Sequence, residues 1–235
     1  MRSSGDDKDI DREKAKENGK NNINGRSKIN RSVFREYVEA IVFALMLALV
    51  IRAFVIQAFM IPSGSMIPTL IEGDQVLVNR FIYGTRVPFS DVKLFPIREP
   101  KRGDVVVFEY PNDRRVPYIK RLIGLPGDKL EIKDKKLYIN GERFEVENAQ
   151  FEDTMILPSA AGPRDNFGPV TVPQNSFFMM GDNRDNSSDS RYWGYVDKSE
   201  LVGNAFTIYW SWDISAGGVF QKIKNIRWDR LGNFL

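Results

Sequence analysis

The sequence predicts a mainly β chain of antiparallel strands, preceded by one N-terminal transmembrane helix. Three observations predict it. Twelve prolines and eighteen glycines punctuate 235 residues, a turn density that suits short strands better than a helical bundle. Past Pro62 the apolar residues fall in short β-branched runs, which is the pattern of strands rather than of an amphipathic helix. Before Pro62 lies Ala40–Ile51, twelve residues without a charge.

Residues 1–32 are polar and charge-mixed, then Asn/Gly-rich from Asn18 to Asn30. Such a segment buries too little apolar surface to fold alone and reads as a disordered tail. The uncharged run is short for a membrane span, which needs about 20 residues. Val33, Phe34, Tyr37 and Val38 extend it on one side and Ala53–Ile56 on the other, so the expected anchor is 33–56. Arg52 can snorkel to the interface. The alternative is a buried soluble helix, and charge asymmetry weighs against it. Five cations and no acid lie between Asn18 and Arg35, whereas after Arg52 the next cation is Arg80, with Glu72 and Asp74 between. The positive-inside rule then makes the tail cytoplasmic and residues 57–235 extracytoplasmic. A cleaved targeting peptide fits less well, because the leading polar segment is long and no A-x-A follows the apolar run.

In the β-rich part, Val76–Val78, Val105–Phe108, Leu130–Ile132, Leu137–Ile139, Phe177–Met180 and Phe206–Trp212 read as strands. Asn140-Gly141 predicts a tight hairpin and Pro126-Gly127-Asp128 a turn. Residues 157–167 read as a loop. Trp193, Trp210 and Trp212 read as core residues.

Composition narrows the chemistry. Lys and Arg number 34 against 31 Asp and Glu, too balanced for a nucleic-acid binder. The chain has no Cys and no His. That excludes disulfides, a thiol nucleophile, a Ser-His-Asp triad and the common zinc sites. A nucleophile here needs Lys, a carboxylate or an amino terminus as its base.

One Ser/Gly turn, Ile61–Leu70 (IPSGSMIPTL), follows the anchor directly. Ser63 and Ser65 flank Gly64, which permits close backbone approach. A second segment, Val116–Asp128, sets Lys120 and Arg121 side by side in an apolar strand. On a period of two, Tyr118, Lys120 and Leu122 share one face and Ile119, Arg121 and Ile123 the other. Both faces are apolar, so periodicity does not choose between the cations. Chemistry does: guanidinium keeps its proton, whereas a desolvated lysine can lose it near pH 8 and serve a serine as base. A third cluster, Gly181–Val196 (GDNRDNSSDSRYWGYV), is dense in polar groups. It lacks the spacing and closing Glu of a calcium loop and contains Arg184, so it reads as a polar network bracing a neighbouring group. Ser90-Asp91-Val92-Lys93 matches S-x-x-K but has no K-T-G or S-D-N partner and little room for a helix.

Taken together, IPSGSMIPTL (61–70), RGDVVVF (102–108), YIKRLIGLPGD (118–128), GDNRDNSSDSRYWGYV (181–196) and IRWDRLG (226–232) resemble the type I signal peptidases, bacterial membrane-anchored Ser–Lys proteases that remove signal peptides from exported preproteins. The resemblance covers most of residues 35–235. It implies a signal-peptidase-like antiparallel β catalytic core with a small accessory β region at about 129–173, in the cytoplasmic (inner) membrane. It implies Ser65 as nucleophile, Lys120 as general base and Ser63 in the oxyanion hole. Ser187 is implied to hydrogen-bond the Lys120 amine, Gly181 and Asp182 to pack beside it, and Asp189 with Arg191 to brace the loop. Substrate is implied to lie extended against Phe59, Ile61, Pro62, Met66 and Leu70 on one side and Pro117, Tyr118 and Ile119 on the other. No cofactor or metal is implied. The implied partners are signal-peptide-bearing preproteins, membrane lipid and, as a further candidate, the secretion translocase; nucleic acid is not among them. Pro117 departs from what a docking strand needs, since it has no N–H to offer. A repressor-type Ser–Lys autoprotease and a non-catalytic peptide-binding β module are the competing readings.

Overall fold

The computed structural model describes residues 33–49, 56–86, 93–94, 96–215, 221 and 224–235. The chain divides into two compact units, Met1–Ile51 and Arg52–Leu235. In the first, 33–49 form helix α1, exposed along its described length. Among the described residues no helix is long and apolar enough to cross a membrane. The expected anchor of 33–56 runs through 50–55, which lie outside the described residues, as do the tail 1–32 and Ser90–Val92 of the S-x-x-K match. The last residue of that expected anchor, Ile56, is already in a strand.

The second unit is built on a seven-stranded sheet, antiparallel at every pairing. Its members are β1 (Ile56–Met60), β2 (Asp74–Asn79), β5 (Val105–Tyr110), β6 (Asp113–Gly124), β11 (Ser176–Met180), β12 (Val196–Asp197) and β13 (Leu201–Ser211), in the order β1-β2-β13-β5-β6-β11-β12. The short pair β3 (Thr85–Arg86) and β4 (Lys93–Leu94) stands apart, so Lys93 of the S-x-x-K match lies in a strand. The expected late strand at 206–212 begins earlier, at Leu201.

Alternation explains how one sheet serves two cores. Along β5, Val105 and Val107 join a cluster with Ile61, Met66, Leu70, Val76 and Ile208. Val106 and Phe108 join another with Leu122, Phe177 and Met179. A strand buried on both faces reads as a continuous apolar run, and VVVF is one. Trp193 packs half-buried against the second cluster, 5.8 Å from the Phe108 ring. Trp210 meets Trp212 and Trp228 edge to face.

A four-stranded sheet, β10-β7-β8-β9, comes from β7 (Lys129–Lys133), β8 (Lys136–Ile139), β9 (Glu142–Arg143) and β10 (Phe167–Thr171). Asn140 and Gly141 turn β8 into β9 with φ of 56° and 89°. Positive φ at both central residues is what a two-residue primed turn demands, and Asn-Gly supplies it with least strain. Among the described residues this sheet shares its core with the larger one. Leu130, Ile132, Leu137 and Ile139 pack with Ile123 of β6 and with Phe178 and Met180 of β11.

Candidate active site

The turn after β1 is fixed by what it buries. Ile61, Met66 and Leu70 are at most 2% exposed and peg the turn into the first core cluster. Backbone bonds from the Ile61 N–H to the Asp74 carbonyl (2.8 Å) and from the Gly73 N–H to the Ile61 carbonyl (2.9 Å) tie its start to β2. Asp74 is fully buried and is held by Arg230 at 2.6 Å and the Ser211 hydroxyl at 2.7 Å. Between the pegs, Gly64–Met66 make one turn of 3-10 helix with Ser63 at its N-cap. The Ser63 hydroxyl makes no capping bond and stands exposed. The Ser65 N–H lies in the first turn of that helix, where N–H groups have no acceptor within the helix.

Strand β6 brings Lys120 to this turn. Lys120 is 4% exposed, its Nζ donates to Ser65 Oγ, and the Tyr118 ring centroid is 5.7 Å away. Burial pushes the ammonium down from its ordinary value near 10.5 to about 8; the charges of Asp189 and Asp182 oppose this and that of Arg191 adds to it. Both carboxylates are engaged elsewhere. Asp182 takes Nε and Nη2 of Arg121 at 2.8 and 2.6 Å, and the Thr69 hydroxyl at 2.6 Å. Asp189 takes Nε and Nη2 of Arg191, each at 2.8 Å, and caps the short helix α2 (Ser190–Trp193).

The loop 181–189 closes over the turn. Its approach depends on Gly181: a Cβ there would lie 2.4 Å from the Ser65 carbonyl oxygen and 2.2 Å from Ser187 Oγ, distances no side chain tolerates. Asn183 clamps the turn twice, its N–H donating to the Ser65 carbonyl at 3.2 Å and its Nδ2 to the Gly64 carbonyl at 3.3 Å. Glu152 in turn accepts from Asn183 at 2.8 Å and from Asn186 at 2.7 Å. The loop's acids face cations of the protein: Asp182 pairs with Arg121, Asp185 with Lys135 at 2.5 Å and Asp189 with Arg191.

A cleft of about 490 Å³ opens over Ser65 and Lys120, lined also by Pro62, Ser63, Gly64, Val116–Ile119, Asn183, Asn186 and Ser188. Of the expected substrate contacts, Pro62, Pro117, Tyr118 and Ile119 border it. Ile61, Met66 and Leu70 do not: they are core residues, because an apolar side chain beside a nucleophile is also what anchors its turn. Phe59 packs half-buried on the same cluster, away from the lining. Ser187 also differs from expectation. Among the described residues its buried hydroxyl has no hydrogen-bond partner, so it does not hold the Lys120 amine in this structure. Val116, Asn183, Asn186 and Ser188 were not singled out as lining residues from the sequence. The polar density of 181–191 marked the region of the last three but not which side chains turn inward.

A neutral amine within hydrogen-bond reach of a hydroxyl can accept its proton, which is the activation step of serine catalysis without imidazole. By family the chain is a serine peptidase. It belongs to the family described as signal peptidase, peptidase S26, whose match spans residues 34–210. It is 42% identical over 207 residues to a signal peptidase I of Pseudomonas aeruginosa, covering 75% of this chain and 72% of that one. It is 33% identical over 243 residues to a signal peptidase I of Rickettsia typhi, covering 86% and 91%. Among solved structures, a signal peptidase I from Enterococcus faecalis is 30% identical over 46% of this chain and 97% of that one, with a TM-score of 0.37.

Proposed function

We propose that the chain cleaves N-terminal signal peptides from exported preproteins with a Ser65–Lys120 dyad, at the outer face of the cytoplasmic membrane. The observation that carries this reading is the buried Lys120 amine bonded to the Ser65 hydroxyl on the floor of an open cleft. With its proton lost near pH 8, about half the Lys120 amines are neutral at that pH, against well under about 1% for an ordinary lysine. Neutral Nζ takes the Ser65 proton as Oγ attacks the scissile carbonyl. The oxyanion meets the Ser65 N–H and the Ser63 hydroxyl. The Lys120 ammonium then gives its proton to the leaving amine, and the acyl-enzyme forms. In the second half, Lys120 takes a proton from water, the hydroxide attacks the ester, and Ser65 recovers its proton. Asp182 and Asp189 do not quench the amine, because Arg121 and Arg191 occupy them.

The substrate lies as an added strand in the cleft, drawing affinity from main-chain bonds. Placement at the membrane follows from sequence: the uncharged run with its basic N-terminal flank anchors the chain, and Ile56 stands nine residues before Ser65, so the nucleophile stays near the surface where a signal peptide emerges. Lipid is therefore a partner, and the translocase that delivers preproteins is a further one. Mass spectrometry of a preprotein incubated with wild type and with Ser65→Ala tests the reading. The expected result is a single new mature N-terminus with wild type and none with the variant. Equal processing by both would refute it.

A further inference from the structure

Strand β6 is twelve residues long and is paired unequally on its two edges. On one edge β5 accompanies it, from Glu109 opposite Pro117 to Val105 opposite Arg121 without a register shift. On the other edge β11 pairs only with Arg121, Leu122 and Gly124. Among the described residues, no strand pairs with that second edge between Val116 and Lys120, and these residues line the cleft.

Parity decides which backbone groups the open edge presents. The Leu122 N–H donates to the Asp104 carbonyl at 2.8 Å, and the Gly103 N–H donates to the Leu122 carbonyl at 2.9 Å. Leu122 therefore turns its backbone groups toward the β5 side. In a regular ladder successive residues alternate, so Lys120 and Tyr118 also face β5, while Ile119 and Pro117 face the cleft. Proline in a strand is tolerated only where its nitrogen looks out of the sheet, which agrees. The edge at Pro117–Ile119 thus offers two acceptors, the carbonyls of Pro117 and Ile119, and one donor, the Ile119 N–H.

We infer that Pro117 is a specificity-determining residue that leaves the substrate edge one donor short. The docking peptide must donate two N–H groups, from residues two apart, to the Pro117 and Ile119 carbonyls. Its carbonyl facing the Pro117 ring goes unbonded. This holds whether the added strand runs parallel or antiparallel, since both place alternate residues on one edge. The class of substrate is an extended segment with neither proline nor N-alkylation at those two positions. An open edge in an empty enzyme is also a template for pairing with other chains, and proline there, beside exposed Arg114 and Arg115, blunts it.

The inference rests on the cleft being the substrate groove, and the test separates the two. Binding of a signal-peptide-derived peptide is measured on Ser65→Ala and on Ser65→Ala with Pro117→Ala, and cleavage on wild type and Pro117→Ala. The restored N–H is expected to tighten binding by about 2- to 10-fold, the range of one neutral hydrogen bond, lowering KM with kcat unchanged. That gain should vanish when one substrate amide, and no other, is replaced by an alkene isostere. No gain in binding, or a gain that survives every replacement, overturns the inference. Proline scanning of the peptide against unmodified Pro117 gives a second check: two blocked positions two residues apart are expected, and any other pattern contradicts it. Tighter binding without cleavage by wild type would sink the proteolytic reading and leave the edge assignment standing.

Discussion

Lys120 and Arg121 are neighbours on β6, both cations, both less than a tenth exposed, and they point to opposite sides of the strand. On one side the guanidinium donates four bonds: two to Asp182, one to the Gly103 carbonyl at 2.7 Å and one to the Thr69 hydroxyl at 3.1 Å. On the other side the amine has a serine hydroxyl and an aromatic ring. Equal burial gives opposite outcomes. A buried charge with a bidentate partner is structure. A buried charge without one gives up its proton, and the group becomes a base.

The largest effect that sharpens this contrast is on activity. Lys120→Met should lower kcat/KM for preprotein cleavage by about 10⁴-fold or more, read by processing kinetics at pH 8. Arg121→Met should act first on stability, and on activity only through the Asp182 charge it releases toward Lys120. It strands Asp182 as a buried unpaired carboxylate and should cost about 3–5 kcal/mol in urea unfolding. If Arg121→Met were as stable as wild type, the division of labour along β6 would be broken. Ser63→Ala should reduce kcat by about 10²–10³ with the fold unchanged, and a loss confined to KM would remove Ser63 from the oxyanion hole.

The smallest effect is the most telling about strain. Lys120 loses its proton at about 8 in the folded chain and near 10.5 when unfolded. Below pH 8 both states hold the proton, and burying the ammonium costs the fold about 3 kcal/mol. Between pH 8 and 10.5 only the unfolded chain keeps it, so the cost fades as pH rises. Lys120→Met should therefore be more stable than wild type at pH 7, by up to about 3 kcal/mol, with the advantage shrinking toward pH 10. The same substitution that abolishes catalysis is expected to strengthen the fold.

Much of this was legible in the sequence where local chemistry decides. Asn140-Gly141 specified its turn, and VVVF its strand. Lys120 stood out as a candidate base because a chain without His or Cys leaves few ways to activate a nucleophile, whereas Ser65 rather than Ser63 came only with the resemblance to the type I signal peptidases. What stayed hidden depends on distant partners. Which face of β6 carries the proposed base could not be read from alternation, because Asp182, which pairs with Arg121, lies 61 residues away. Ile61, Met66 and Leu70 fit two roles equally well as residue types, and only burial separates a peg from a pocket wall.

The central claim is the charge state of one amine. It is tested most directly by NMR titration of the Lys120 side chain, labelled at its ε-carbon, in the folded protein from pH 6 to 11. A midpoint near 8, with the same midpoint governing the rising limb of kcat/KM, is the expected result. A midpoint at 10 or above would contradict the account.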